Sequence, residues 1–148
     1  MDETVLGYIE DKHRYLMLFR NKKEHDHNKG KYIGIGGGVE PGESKEQALI
    51  REVKEETGLD VISYKYRAKL IFVNEEFSEI MYLFTIDKFK GEIKECDEGE
   101  LHWIDIDDIF KVPHWEGDEV FIKKMLSTDE YFEMTLIYQG DKLVNIIE

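Results

Sequence analysis

Alternating apolar and polar residues divide most of the chain into short segments of β-strand character, separated by polar turns. The pattern predicts strands over Thr4–Ile9, Tyr15–Arg20, Val61–Val73, Glu79–Phe89, Leu101–Ile104, Phe132–Tyr138 and Lys142–Ile147. Two further segments, Asp105–Phe110 and Asp118–Leu126, have helical spacing. Because strands outnumber helices and helices interrupt them, the order of elements predicts an α/β fold, with a mixed sheet and helices on both faces.

The clearest helix follows a polar loop, Asn21–Lys31, and a glycine-rich stretch, Tyr32–Val39. Ser44 is a favourable N-cap, and Gln47 three residues later completes a capping box. Gly58 is suited to the left-handed turn that ends a helix. These signals predict a helix from Lys45 to Thr57.

The faces of this helix differ sharply when its residues are placed about 100° apart. Leu49, Ile50 and Val53 share one arc, which we expect to pack on the sheet. Glu52, Glu55 and Glu56 fill the adjacent arc, where neighbouring carboxylates repel each other. Oxygen ligands that project from one rigid face suit a hard cation such as Mg²⁺ or Mn²⁺. The alternative is a solvated acidic face without a metal.

Composition narrows the classes of partner. The 148 residues carry a formal net charge of -13, which opposes binding of long nucleic acid but not of a small polyphosphate that arrives with a divalent cation. Cys96 is the single cysteine, so no internal disulfide forms, as is usual in a reducing cytosol. The N-terminus does not resemble a secretory signal, and no segment has the length of a membrane span. We therefore expect a cytoplasmic protein with no membrane partner.

The stretch from Gly37 to Leu59 resembles the Nudix box. Every defined position of that motif is filled, by Gly37, Glu43, Arg51, Glu52, Val53, Glu55, Glu56, Gly58 and Leu59. The resemblance implies a single Nudix domain over residues 1–148, folded as an α/β/α sandwich with a mixed central sheet. It also implies a hydrolase that cleaves phosphoanhydride bonds with Mg²⁺, or with Mn²⁺ as an alternative.

Site residues also follow from the resemblance. The implied catalytic and metal-binding carboxylates are Glu52, Glu55 and Glu56, with a further one from a loop outside the box. Glu98 is the candidate for that role, and Asp97 and Glu100 are its rivals. The carbonyl of Gly36 or Gly37 would add an oxygen ligand. In the family, the arginine that matches Arg51 pairs with the glutamate that matches Glu43, and we expect Arg51 to point away from the acidic arc. Arg20, at the end of the second predicted strand, is either a phosphate clamp or an ordinary exposed arginine.

Segments outside the box resemble the Nudix subgroup that hydrolyses oxidised purine nucleoside triphosphates. They are Lys31–Gly37, Leu101–Asp105, Val112–Asp118 and Tyr138–Asp141. In that subgroup the tryptophan that matches Trp115 stacks on the base, and an acidic residue that matches Asp118 hydrogen-bonds its edge. A base-binding asparagine is replaced here by Ile33, and a second acidic residue is replaced by Gly117.

The sequence therefore predicts a diphosphatase whose partner is a small nucleotide: 8-oxo-dGTP or a related purine deoxynucleoside triphosphate is split into a monophosphate and pyrophosphate. One alternative is a Nudix pyrophosphatase for ADP-ribose, a nucleotide sugar or a capped RNA end, the last disfavoured because few basic residues are available to hold a strand. The other is a non-catalytic nucleotide sensor. His25, Asp26 and His27 lie together in the polar loop, and we expect no metal site there.

Overall fold

A computed structural model describes all 148 residues as nine β-strands, two α-helices and one short 3-10 helix. The strands are β1 (Asp2–Asp11), β2 (Arg14–Phe19), β3 (Tyr32–Ile33), β4 (Ile35–Gly38), β5 (Asp60–Val73), β6 (Ser78–Lys90), β7 (Glu100–Asp105), β8 (Phe132–Gln139) and β9 (Lys142–Ile147). The helices are α1 (Lys45–Thr57) and α2 (Glu116–Ser127), and the 3-10 helix is Ile106–Asp108. Neither α-helix is long and apolar enough to cross a membrane.

The strands form one mixed sheet in the order β3-β2-β1-β6-β5-β8-β9, with β4 also paired to β1 and β7 to β2. The β1–β6 and β5–β8 pairs are parallel, and the other pairs are antiparallel. The predicted mixed sheet is confirmed.

Alternation along β1 separates two cores. Val5 and Ile9 belong to the apolar cluster that includes α1, whereas Leu6 and Tyr8 belong to the cluster that includes Phe121 of α2. Because successive strand side chains point to opposite faces, α1 and α2 cover opposite faces of the sheet. This arrangement confirms the predicted α/β/α sandwich.

Helix α1 has the ends that its sequence predicts. The Ser44 Oγ accepts a hydrogen bond from the Gln47 amide at 3.1 Å, and the Ser44 amide donates to Gln47 Oε1 at 2.9 Å. Gly58 ends the helix at φ 83° and donates to the Lys54 carbonyl. The buried face is rotated from the predicted one: Ile50 is 43% exposed, while Glu56 is buried beside Leu49 and Val53.

Two local predictions were wrong, and one stretch for which no element was predicted contains strands. The glycine-rich stretch forms the short strands β3 and β4, because β1 and β2 offer edges with which it pairs. Asp105–Phe110 contains only a single 3-10 turn, which is capped when the Asp105 side chain accepts from the Asp107 amide. Arg20 lies just after β2 rather than within it, which frees its side chain for contacts outside the sheet.

The close approach of β4 to β1 gives a prediction for stability. A Cβ at Gly36 would overlap the carbonyl oxygen of Val5, whereas a Cβ at Gly38 would meet no atom within 4 Å. We expect Gly36→Ala to lower the free energy of unfolding by about 3 kcal/mol, because backbone cannot yield as a side chain does. The matched control Gly38→Ala should change it by less than about 0.5 kcal/mol in urea denaturation. Equal stability of the two variants would contradict this packing.

Candidate active site

A buried carboxyl group, that of Glu56, lies where α1 meets β4. Glu56 is 6% exposed, and its Oε2 accepts a hydrogen bond from the Gly36 amide at 3.0 Å. Its other oxygen, Oε1, is buried without any hydrogen-bond donor. A buried charged oxygen without a partner is costly, so this one indicates a missing proton or cation.

The loop between β6 and β7 brings the Glu98 carboxylate within hydrogen-bonding range of Glu56. Burial, together with the neighbouring Glu98 and Glu52 carboxylates, raises the pKa of Glu56 to about 10. The pKa of Glu98 is lowered, chiefly by the hydrogen bond it receives from Glu56. Without a metal, the pair therefore shares one proton, which resides on Glu56.

Among the three acidic candidates, Glu98 is the one whose carboxylate lies close to Glu56. The Glu100 side chain turns to Asn21 and His102, and Asp97 is exposed. The loop is fixed because Gly99 packs directly on the Phe19 carbonyl, where a Cβ would not fit.

Glu52 lies one helical turn before Glu56 and packs on Gly37. A Cβ at Gly37 would lie 2.6 Å from the Glu52 carboxylate, so only glycine leaves room for this contact. The Glu52 side chain is 15% exposed, and burial raises its pKa, although the Arg51 guanidinium opposes the shift.

Arg51 binds Glu43 through two hydrogen bonds, of 2.8 and 2.9 Å, as the resemblance implies. The pKa of Glu43 falls to about 2, chiefly because of these bonds. The expectation that Arg51 points away from the acidic arc was wrong: its Nη1 lies 2.8 Å from Glu52 and 3.2 Å from Glu55. A long arginine side chain bends across the arc, and Glu55 remains at the rim, 58% exposed.

The residues present fit a hard divalent cation. Glu52, Glu56 and Glu98 offer carboxylate oxygens next to the backbone of Gly36 and Gly37, and the unpartnered Glu56 Oε1 needs a positive neighbour. The oxygen atoms of these three glutamates lie farther apart than the ligand atoms of another, exposed group. That group consists of His13, Asp105 and Asp107, whose ligand atoms lie within 4.8 Å of one another. That group lies at the opposite end of the β2–β7 pair from Glu100.

Arg20 faces the carboxylates and is only 14% exposed, which argues against an ordinary surface arginine. Its Nη1 lies 3.6 Å from Glu98 Oε2, and its Nε donates to Asp26 Oδ2 at 2.6 Å. A positive group therefore lies beside the candidate metal ligands.

Trp115 and Asp118, at the start of α2, line one cleft with Ile33 and Tyr138. The cleft is mainly apolar, and its floor includes Leu6, Phe72 and Met81. Ile33 also connects the cleft to the carboxylates, because Gly36, which binds Glu56, follows three residues later. Three residues of chain span at most about 11 Å, so the cleft and the carboxylates are neighbours.

Asp118 is buried in this cleft, and burial raises its pKa to about 7, against the opposing effects of His114 and Lys31. A side chain at its predecessor, Gly117, would have to displace the Tyr138 hydroxyl. The Gly117 amide donates to the Tyr138 hydroxyl at 2.6 Å, and a Cβ at Gly117 would lie 2.5 Å from that oxygen.

The polar loop after β2 covers Trp115, which sequence analysis did not predict. The His27 ring stacks on the indole, with centroids 4.9 Å apart, and Lys31 Nζ lies 4.1 Å from the ring centre. Asn28 Oδ1 accepts from Trp115 Nε1 at 2.8 Å. The loop has no hydrophobic periodicity, so its sequence carried no signal of where it would fold.

Comparison with known proteins agrees with this fold. The model for the NUDIX domain matches residues 2–125. An uncharacterized Nudix hydrolase of Bacillus subtilis (strain 168), YvcI, is 30% identical over 116 residues, 74% of this chain and 73% of that protein. The oxidized purine nucleoside triphosphate hydrolase of Danio rerio is 36% identical over 104 residues, 69% of this chain and 67% of that protein.

Among solved structures, the mutator MutT protein of Bacillus halodurans shares the fold with a TM-score of 0.88. It is 24% identical, and the match covers 99% of this chain and 97% of that one.

Fold, site and relatives together define a pyrophosphohydrolase of the MutT-like class. The chain belongs to the Nudix family, as the match over residues 2–125 shows. Members of this family generally use divalent metals. Since the chain is a hydrolase, a purely non-catalytic sensor is not retained as an alternative.

The buried Asp118 gives a pH prediction. Its pKa rises from 3.8 to about 7 on folding, so the folded state binds the extra proton between these values. The contribution of Asp118 to the free energy of unfolding therefore falls as pH rises from about 4 to 7, by at most about 1.4 kcal/mol per pH unit. The raised pKa of Glu56 gives a slope of the same sign, so in metal-free urea denaturation Asp118→Asn should make the slope shallower by the Asp118 contribution. Asp129→Asn, which alters an exposed side chain without hydrogen bonds, is the control and should keep it; an unchanged slope in Asp118→Asn would refute the assignment.

Proposed function

We propose that this Nudix hydrolase is a magnesium-dependent nucleoside triphosphate diphosphatase. It converts 8-oxo-dGTP, or a related purine deoxynucleoside triphosphate, to the monophosphate and pyrophosphate. The observation that carries the proposal is the adjacency of two sites: the cleft with Trp115 and Asp118, and the pair formed by the buried Glu56 and the half-buried Glu98. The similarity to the Danio rerio hydrolase supports it.

In this proposal Glu52, Glu56 and Glu98 hold Mg²⁺, or Mn²⁺ in its place, with a carbonyl oxygen of Gly36 or Gly37. Glu55, which is exposed beside Arg51, would join from the rim. A bound divalent cation neutralises phosphate oxygens and lowers the pKa of a bound water. These carboxylates also form the catalytic group, since a carboxylate beside the attacked phosphorus is suited to accept a proton from water.

Arg20 is placed to donate hydrogen bonds to a phosphate, because its guanidinium lies beside Glu98 and is mostly buried. Trp115 would offer a flat apolar surface to a purine that takes the place of the His27 ring, which stacks on the indole here. Asp118, with a pKa of about 7, is able to donate or accept a hydrogen bond at the base edge near neutral pH. Stacking binds any purine, so Asp118 carries the selection among bases.

The cleft is less polar than the resemblance implies. Ile33 offers no hydrogen bond, and the place of a second acidic group is filled by the hydroxyl of Tyr138. Lost polar partners reduce discrimination by orders of magnitude. We therefore expect modest preference between oxidised and ordinary purines. A cytoplasmic location is part of the proposal, supported by the free, buried thiol of Cys96.

The same apolar cleft favours a second candidate function: hydrolysis of another nucleoside diphosphate derivative, such as ADP-ribose or a nucleotide sugar. Such a substrate needs a stacked base and a bound diphosphate but no specific recognition of an oxidised base. The two candidates differ in the released product.

A substrate screen tests the proposal. With Mg²⁺, we expect purified protein to release pyrophosphate from 8-oxo-dGTP and dGTP, with kcat/KM at least tenfold above that for ADP-ribose. Glu56→Gln should reduce kcat by at least about 100-fold, because the carboxylate is lost. Turnover confined to ADP-ribose or nucleotide sugars would establish the second candidate instead.

The stacking role of Trp115 gives a separate prediction. Trp115→Ala should raise KM for purine triphosphates by about 5-fold to 150-fold, the equivalent of about 1–3 kcal/mol of stacking. Trp103→Phe is the control, because Trp103 packs on Phe89 and Arg14, outside the cleft, and should leave KM unchanged. Steady-state kinetics at saturating Mg²⁺ measures both. A Trp115→Ala variant with wild-type KM would show that the base binds elsewhere.

A further inference from the structure

A continuous series of polar contacts joins the two ends of the proposed nucleotide site. Glu98 Oε2 pairs with Arg20 Nη1 at 3.6 Å, and Arg20 Nε donates to Asp26 Oδ2 at 2.6 Å. Asp26 Oδ1 accepts from the Asn28 amide at 3.0 Å, and Asn28 Oδ1 accepts from Trp115 Nε1 at 2.8 Å. Asp26 stands at the middle of this series, with one oxygen directed to each end.

Asp26 is a loop residue with a buried side chain, not a surface residue. The Asp26 side chain is 4% exposed. The other acidic residue of the loop, Glu24, is exposed and forms no side-chain hydrogen bond or ion pair. A charged hydrogen bond as short as that to Arg20 is strong, and a buried carboxylate requires such a partner. The loop does not need Asp26 to close, because the backbone of Arg20 bonds Gly30 and Lys31.

Asp26 acts on a different side chain at each end of this series of contacts. Arg20 has Glu98 on one side and Asp26 on the other, so the carboxylate of Asp26 balances the attraction of Glu98 and fixes the guanidinium. At the other end, the Asn28 amide is fixed by Asp26, and its side chain then fixes the plane of the Trp115 indole. One loop residue therefore sets both the group beside the candidate metal ligands and the surface for the base.

We propose that Asp26 is a positioning residue of this site, which aligns Arg20 for the phosphates and, through Asn28, Trp115 for the base. The inference rests on the proposed function of Arg20 and Trp115. Asp26 itself touches neither phosphate nor base, and its effect passes through the two side chains that it orients.

Kinetics separates the two ends. Asp26→Ala should lower kcat at least tenfold, because small misplacements of a phosphate-binding group are costly, and should raise KM about threefold to tenfold. Asn28→Ala removes the contact to Trp115 Nε1 and a polar group that lines the cleft, but leaves Asp26 paired with Arg20; it should raise KM by a similar factor with a much smaller effect on kcat. In the double variant, KM should not exceed that of Asp26→Ala, since both changes break the same path.

Glu24→Ala is the matched control: it removes the same charge from the same loop and should behave as wild type. If Asp26→Ala does not fold, Asp26→Asn serves instead, since it keeps the shape and removes the charge that fixes Arg20. Additive KM effects in the double variant, or equal effects of the Glu24 and Asp26 changes, would overturn the proposal.

A readout without substrate or metal keeps this test independent of the proposed function. The two tryptophans give two indole N–H signals in a ¹H–¹⁵N NMR spectrum, assigned with Trp115→Phe. In Asp26→Ala and in Asn28→Ala, the Trp115 signal should exchange with water at least tenfold faster, and the Trp103 signal should not change. If exchange is unaltered, Asp26 does not orient Trp115; if exchange rises while Trp115→Ala leaves KM unaltered, the contact series stands and the base-binding proposal fails.

Discussion

The contact between the Glu56 and Glu98 carboxyl groups governs the arrangement of the candidate active site. A buried carboxylate, Glu56, and a half-buried one, Glu98, repel each other, and the pair persists only with a proton or a cation between its oxygens. Glu56 belongs to the buried face of α1, and Gly36 satisfies only one of its oxygens. Helix α1, strand β4 and the β6–β7 loop therefore place oxygen atoms around one position where a positive charge is lacking. A divalent cation would supply that charge.

Local sequence was sufficient to predict the part of the site that lies on one helix. The capping residues fixed both ends of α1, and helical spacing placed Glu52, Glu55 and Glu56 within one turn. Spacing alone did not show which of the three is buried. That outcome depends on the sheet packed beneath α1, where Gly36 and Gly37 leave room for carboxylates and where Ile50 turns outward instead. The behaviour of Arg51 was missed for a related reason, since its long side chain reaches residues that a helical wheel places apart.

Residues supplied by loops were harder to predict, because nothing in their own pattern encodes the position of a distant strand. Glu98 was one of three acidic candidates, and its selection depends on Gly99, which packs on the end of β2. The loop of residues 21–31 is the extreme case. From its sequence, a metal site at its histidines was considered and not expected, and no other role was predicted for them. In the fold, His27 stacks on Trp115 and Asp26 binds Arg20. Only the folded position of Trp115, more than eighty residues later, gives His27 its partner, whereas Asp26 meets Arg20 at the start of the same loop.

The glycine at position 117, where the oxidised-purine subgroup has an acidic residue, is in contact with Tyr138. Tyr138, at the end of β8, places its hydroxyl against the Gly117 amide, and any side chain at position 117 would have to displace this hydroxyl. The substitution thus exchanges a second carboxyl group for a neutral hydroxyl that is already engaged. Asp118 is left without an acidic neighbour at position 117, in apolar surroundings that hold its pKa near neutrality. Under the proposed function, a single carboxyl group with a pKa of about 7 would meet purine edges with opposite donor and acceptor patterns. The proposal therefore implies breadth among purines and a base preference that changes with pH near neutrality.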